Sequence, residues 1–553
     1  MPEPAEGDMG FDKLSPRERQ QLHMSSLKKP GFLIVRLKLP EWFMCKNPVF
    51  GLFSVESHIM KQTRHTIPPR SLWFLLSLLA GALGFTWLQQ QGWALTYGSP
   101  GSDFAASVVT LEEGGYLAAG YTDSFGAGKQ DGWVWRLNDD GGVVWQKVYG
   151  GAEDDTFAAV VNAAAGGFVA VGTTRSFDVV GQDAWVARLD VQGRSLWQNA
   201  YGGTGNETAS AIWSPLDGGY WVAGSTSSGS AGGDDGWVWR LDAAGEVIWQ
   251  MAYGGAAVDT FAAVVGTTDG NFVVAGETWS FGAALSDAWV LKLDREGNVL
   301  WQNRYGGALA DGARALQPTA DGGVVVAGYT DSLGMGGRDA WVWQLDTAGE
   351  VVWQFALGDV GTDETHGLLR LPDKGLLVVG ATDSFGAGNG DAWAARLDAN
   401  GQLVWQRAYG GSVAADAANS VALGQAGGTL LAGHTFAFGA GAADAWLLLV
   451  DDAGGVADGN LMYASEARET RTTVTGTPTE GSGRQAETAA RSLDARAQAV
   501  TGTAATLTTT PTPSVALSAG TDTPAAPYLS LGFAAALVAW VGWRLWRGRD
   551  RNN

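Results

Sequence analysis

Cysteine is almost missing from this chain of 553 residues, with Cys45 standing alone. A single thiol excludes disulfide stapling and any CxxC-type metal or redox site. Histidine is scarce too: His366 and His434 are the two between residues 91 and 454. No HExxH, GxSxG or Walker-type loop occurs, so the usual signatures of zinc proteases, α/β-hydrolases and P-loop nucleotidases are absent. Positive charge is short as well, since 36 Lys and Arg against 57 Asp and Glu leave −21 overall. The deficit lies mostly between Trp93 and Asp452, where about 42 acids face about 16 bases. Such a surface repels phosphate backbones, which argues against nucleic acid and leaves cations or neutral ligands as partners.

Glycine and tryptophan are plentiful instead, at 80 and 26 residues. That composition suits many short strands joined by tight turns. The Asp-(Gly/Ala)-Trp motif recurs at Asp131, Asp183, Asp235, Asp287, Asp339, Asp391 and Asp444, in steps of 52 and finally 53 residues. Each copy divides into four short apolar stretches bounded by glycine-rich punctuation, as in FAASVVTL, YLAAGYT, GWVWRL and VVWQKVYG. The third and fourth stretches are joined by Asp-x-x-Gly, as in Asp190 to Gly193 and Asp242 to Gly245, which a type I turn selects. The first and second are joined as tightly, for example by Asp217-Gly218-Gly219. A repeated four-stranded antiparallel meander of about 50 residues predicts propeller blades, with a β-solenoid as the competing architecture.

One irregularity separates the two. The copy starting at Asp444 has no fourth stretch after Asp451-Asp452-Ala453-Gly454, whereas an unmatched one, Trp93-Ala94-Leu95-Thr96-Tyr97-Gly98, stands in front of the first copy. A solenoid has no reason to split a unit between its ends; a closed ring does, because the first strand then completes the last blade. The expected fold is all-β, a seven-bladed β-propeller over residues 91–454 closed by its N-terminal strand and flanked by two membrane segments.

The flanks read differently. Ser71–Leu88 is uncharged, follows Lys61, Arg64 and Arg70, and is expected to be a signal sequence or signal anchor within residues 60–90. Residues 1–59 form an extension without usable periodicity, and Met60 opens a stretch with the layout of a signal, which makes it an alternative start. Residues 455–526 are rich in Thr, Ala, Ser, Gly and Pro and are expected to be a stalk. Residues 527–553 hold the apolar run Tyr528–Trp543 followed by Arg544, Arg547, Arg549 and Arg551, expected to be a transmembrane helix with a basic cytoplasmic tail. Both ends would then lie inside and the propeller outside the cytoplasm.

Read as GGYxVAGxTxSFGxGxxDAWVxRLDxxGxVxWQxxYGG, the repeat resembles those of bacterial and archaeal surface β-propeller proteins of unassigned function. It is also distantly similar to kelch repeats through the Gly-Gly pair before the second strand. The resemblance implies the fold and adds little about activity.

Candidate site residues come from two series. An acid stands six residues after the Tyr (or Leu357) of each fourth strand: Asp103, Asp155, Glu207, Asp259, Asp311 and Asp363, with Asp416 one place late. Preceding the innermost strands, these could ring a channel mouth and hold a divalent cation such as calcium; the competing reading is that each caps a turn. No other cofactor is expected. The second series flanks a recurring threonine (Thr122, Thr174, Thr226, Thr278, Thr330, Thr382, Thr435) in the link between second and third strands. Positions beside it vary, and Tyr121, Asp123, Arg175, Glu277, Trp279, Tyr329 and His434 are the ligand-binding candidates. No catalytic residue is assigned. The expected role is a ligand-binding or protein-interaction scaffold for a surface protein or glycan, with a polysaccharide hydrolase or lyase as the alternative.

Overall fold

A computed structural model describes residues 92–456 apart from isolated link positions, together with the short strands Met462–Tyr463, Arg491–Ser492 and Arg496–Ala499. The expected membrane segments, the extension 1–59 and most of the expected stalk lie outside the described residues. Within them every regular element is a strand.

The first five strands show the plan. β1 (Trp93–Tyr97) precedes the first complete sheet, which is ordered β2 (Asp103–Thr110), β3 (Tyr116–Thr122), β4 (Asp131–Leu137), β5 (Val143–Tyr149). Five further sheets repeat this meander, with innermost strands Asp155–Asn162, Glu207–Trp213, Asp259–Gly266, Asp311–Pro318 and Asp363–Arg370. The seventh is Asp416–Leu423, Thr429–Thr435 and Asp444–Val450, with β1 as its outermost strand, antiparallel from Trp93 opposite Leu449 to Tyr97 opposite Ala445. Innermost strands of successive blades pack on one another all the way round, the seventh on the first. The protein is a closed seven-bladed β-propeller.

Local chemistry explains each recurring residue. In the third-to-fourth hairpins the Asp carboxylate accepts amide bonds from two and four residues on, as Asp190 does from Gln192 (2.9 Å) and Arg194 (2.8 Å). The closing Gly193 has φ 70°, the left-handed region that glycine enters without a Cβ penalty. The outermost strand then fastens this hairpin in the next blade, through its Tyr in every blade but five and through its Trp in every blade but one and five. Tyr149 Oη donates to the Gly193 carbonyl (2.5 Å) and Tyr97 Oη to that of Gly141 (2.7 Å). Trp93, Trp197 and Trp249 donate their indole N–H to Asp139, Ala243 and Arg295 carbonyls. Blade five departs, having Leu357 for Tyr, and Trp353 bonds Gln344 of its own sheet instead (2.8 Å).

Blade-to-blade packing carries the core, which is buried on both faces of each sheet as stacked sheets require. Blades one, three and five stack two buried tryptophans on the third strand, Trp133 on Trp135, Trp237 on Trp239 and Trp341 on Trp343, each with centroids 3.8 Å apart. Blades two and four instead stack a Phe of the innermost strand on one Trp, Phe157 on Trp185 and Phe261 on Trp289. The preceding blade makes room: a Cβ on Gly132 or Gly236 would strike the Phe157 or Phe261 ring. Along the rim, Arg496–Ala499, Arg491–Ser492 and Met462–Tyr463 pair with the outermost strands of blades two, three and six.

Candidate functional site: the blade joints and the channel mouth

The short hairpins emerge on one face, so the second-to-third and fourth-to-first links form the other. Both candidate series start from this face, and the structure separates them.

The inner acids do not ring an open mouth. Asp103, Asp155, Glu207, Asp259, Asp311, Asp363 and Asp416 are all buried. Their oxygens are taken up inside the blade joints: Asp155 accepts from Thr174 Oγ1 (2.5 Å), Ser176 Oγ (2.7 Å) and the Gly151 amide (2.8 Å). Asp259 repeats this with Thr278 (2.5 Å), Ser280 (2.6 Å) and Gly255 (2.8 Å), and Asp363 with Thr382 (2.5 Å), Ser384 (2.6 Å) and the Asp359 amide (3.1 Å). The recurring threonine thus serves as the hydroxyl clamp of the acid. Among the described residues no three His, Cys, Asp or Glu side chains gather as a metal-holding group.

Each inner acid has an unexpected companion, the Asp of Asp-x-Trp in the preceding blade. A Cβ placed on Gly150 would stand 2.5 Å from Asp131 Oδ1 and 2.7 Å from Asp155 Oδ2. Gly98, Gly202, Gly254, Gly306, Gly358 and Gly410 stand in the same way between Asp444 and Asp103, Asp183 and Glu207, Asp235 and Asp259, Asp287 and Asp311, Asp339 and Asp363, and Asp391 and Asp416. The glycine after each Tyr (or Leu357) is therefore required by two carboxylates facing each other across it. In one joint a cation sits on one of the two, Arg304 Nη1 lying 2.8 Å from Asp287 Oδ2.

The mouth is where the copies differ. All seven innermost strands carry a β-bulge three residues after the acid. A bulge leaves one residue unpaired and re-aims its side chain. The bulged residue is Ala106, Ala158, Ser210 and Ala262 in blades one to four, but Arg314, His366 and Asn419 in blades five to seven. Arg314 pairs with Glu277 of blade four (2.9 Å) and lies over the Tyr329 ring, 5.2 Å from its centroid. Arg338 covers the same ring at 3.8 Å while holding Asp331 (2.8 Å) and Glu364 (2.7 Å). Glu364 in turn faces His366 Nε2 at 3.6 Å. Tyr329 lies flat because its cross-strand partner is Gly312, where a Cβ would meet the ring.

An aromatic group continues the arc through blades seven and one. Phe104 stacks on Tyr121 (4.8 Å, 17°), lies 4.6 Å from His434 and meets Phe436 edge-on at 6.2 Å. Asn419 crosses from blade seven to the Ala105 carbonyl of blade one (3.0 Å). In blades two and three the equivalent rungs are small hydroxyls, Thr156 with Thr173 (2.9 Å) and Thr208 with Ser225 (3.0 Å).

Four of the seven ligand candidates, Tyr121, Glu277, Tyr329 and His434, thus belong to one continuous arc. The others do not join it. Asp123 accepts the Ser102 amide, Arg175 bonds Gln182 of its own link (3.3 and 3.2 Å), and Trp279 is exposed in its link. Phe104, Arg314, Arg338, Glu364, His366 and Asn419 were missed, although comparing copies at the third position after each acid shows Arg, His and Asn against Ala and Ser.

Several groups of the arc are shifted from their ordinary values. Burial, with His366 nearby, pushes His434 down to about 4, so it is a neutral ring at ordinary pH. His366 and Arg338 hold Glu364 down to about 2, and burial beside Glu277 pushes Tyr329 up to about 12. Glu364 is therefore ionised at ordinary pH. Two open clefts lie on the hairpin face instead, one of about 400 Å³ beside Glu112, Arg136 and Phe168, the other of about 250 Å³ beside Asp321, Gln344 and Arg370, both away from this arc.

No protein-family model and no curated protein matches the chain. Among solved structures it is similar to the WD40 β-propeller domain of Doa1, at 12% identity and TM-score 0.41, over 66% of this chain and 100% of that one. It is also similar to a protein of unknown function from Bacteroides caccae, at 16% identity and TM-score 0.33, over 53% and 93%. Puromycin hydrolase matches at 14% identity and TM-score 0.38, over 61% of this chain and 51% of that chain. These are likenesses of fold.

Proposed function

We propose that this propeller is a ligand-binding module that recognises a surface glycan or protein at its channel mouth, held outside the cytoplasmic membrane by its terminal segments. The observation that carries the reading is the clustering of large departures from the repeat: Glu277, Arg314, Tyr329, Arg338, Glu364, His366, His434 and Phe104 follow one another from blade four round to blade one. Their mutual ion pairs and stacks fix them before a ligand arrives, which lowers the ordering cost of binding. Exposed Phe436 offers a flat apolar face beside that polar wall.

The test uses the full chain on glycan and peptide arrays. Restoring the small residues of the other blades, by Arg314→Ala, His366→Ala and Asn419→Ala together, is expected to abolish the array signals that wild type gives. Rim changes such as Val144→Ser should leave them intact. Signals that survive the triple replacement would remove the mouth as the binding site.

A further inference from the structure

The seven joints pose one electrostatic problem. Two carboxylates buried beside each other cannot both ionise cheaply, because desolvation and mutual repulsion act together. The joint between blades four and five answers it with a cation, Arg304 on Asp287. Between blades two and three, Asp183 is 6% exposed and its Oδ1 has no hydrogen-bond partner. A Cβ on Gly202 would lie 2.5 Å from Glu207 Oε2 and closer still to that Asp183 oxygen, so the bare oxygen and the other carboxylate border the same small space. Glu207 already accepts from Thr226 Oγ1 (3.0 Å) and from the Gly203 (2.8 Å) and Ser228 (3.1 Å) amides. Between blades five and six, Asp339 and Asp363 face each other across Gly358 in the same way.

We propose that these two joints are proton-binding sites: Asp183 and Asp339 each take one proton from solvent on folding and donate it as O–H to the facing Glu207 and Asp363 carboxylates. A proton here does what Arg304 does in its joint, leaving one net negative charge per pair inside the packed ring. Among the described residues no Lys or Arg pairs with Asp183 or Asp339. Glu207 is the charged group acting on Asp183. Asp339 is faced by Asp363 of the next blade, Asp359 of the fourth-to-first link and Asp331 of its own link, while Arg338 is drawn off by Asp331 and Glu364.

Burial and Glu207 push Asp183 up to about 6; burial, followed by the three aspartates, pushes Asp339 up to about 7. An acid whose folded pKa is raised adds stability that is complete below the unfolded value, about 4, and is lost as pH rises through the folded value. The ring therefore tightens on acidification from pH 7 towards 5, a direction opposite to that set by salt-bridged carboxylates.

Denaturant unfolding of the full chain at stepped pH tests this. Each proton bound on folding makes the folding constant fall about tenfold per pH unit. Asp183→Asn should remove one such proton from the slope between about pH 4 and 6, and Asp339→Asn one between about pH 4 and 7, because the Asn amide donates without titrating. Arg304→Ala should steepen the slope. Identical slopes in wild type and both Asn variants would overturn the proposal. Infrared spectroscopy of the folded protein gives a second reading that does not depend on variant stability. A protonated-carboxyl band at pH 5 that shrinks in each Asn variant supports the proposal, and absence of that band in wild type refutes it.

Discussion

The joints and the mouth occupy the same face of the ring and are built on the same innermost strands, yet they obey opposite rules. In the joints, an acid, its Thr clamp, a facing Asp and the glycine between them recur in all seven blades. At the mouth, one residue further along the same strands, blades two to four carry Thr156, Thr208 and Thr260, whereas blades five, six, seven and one carry Gly312, Glu364, Ala417 and Phe104. A strand sends successive side chains to opposite faces, so a single step in sequence crosses from conserved architecture to variable surface. What repeats closes the ring, and what breaks the repeat is available for recognition.

That contrast can be broken at its strongest point first. Deleting residues 92–98 removes the outermost strand of blade seven with the Trp93 and Tyr97 bonds to blade one. The loss should be on the order of 5 kcal/mol or more in chemical unfolding; an unchanged midpoint would mean that the ring does not depend on closure. Trp237→Ala empties a buried site stacked on Trp239 and should cost about 3–5 kcal/mol by the same measurement. Gly202→Ala pushes a methyl between Asp183 and Glu207 and should cost about 1–3 kcal/mol. Were Gly202→Ala neutral, the paired-acid description of the joint would need revision. Arg338→Ala, by contrast, removes partly exposed ion pairs and should change stability by about 1 kcal/mol or less, while weakening ligand capture far more.

Much of the ring was legible in the sequence because period, turn chemistry and strand length agreed. The constant spacing of Asp-x-Trp gave seven units, Asp-x-x-Gly gave the hairpins, and the orphan Trp93–Gly98 stretch gave the closure. The acids were harder. Asp131 and Asp155 lie 24 residues apart in different blades, and nothing local in the chain announces that they meet across Gly150. Placing the acids at the mouth missed by one residue, and one residue in a strand reverses the direction of the side chain. The bulge escaped for a related reason: apolar periodicity reports which face is buried, whereas an extra residue shows only as a register shift between paired strands, as between Ala313 and Ala315 around Arg314. Tyr121, Glu277, Tyr329 and His434 were found because the copies were compared beside the threonine, and Arg314, His366 and Asn419 would have been found by the same comparison sixteen residues before that threonine.

The most direct test of the division of labour is to measure unfolding and binding together in the Arg314→Ala, His366→Ala, Asn419→Ala variant of the full chain. These replacements give blades five to seven the small bulge residues of the other four. With this division of labour the unfolding free energy is expected to stay within about 2 kcal/mol of wild type while the glycan or peptide array signals seen for wild type are lost. A variant that binds as wild type does, or a wild type with no signal to lose, would contradict it.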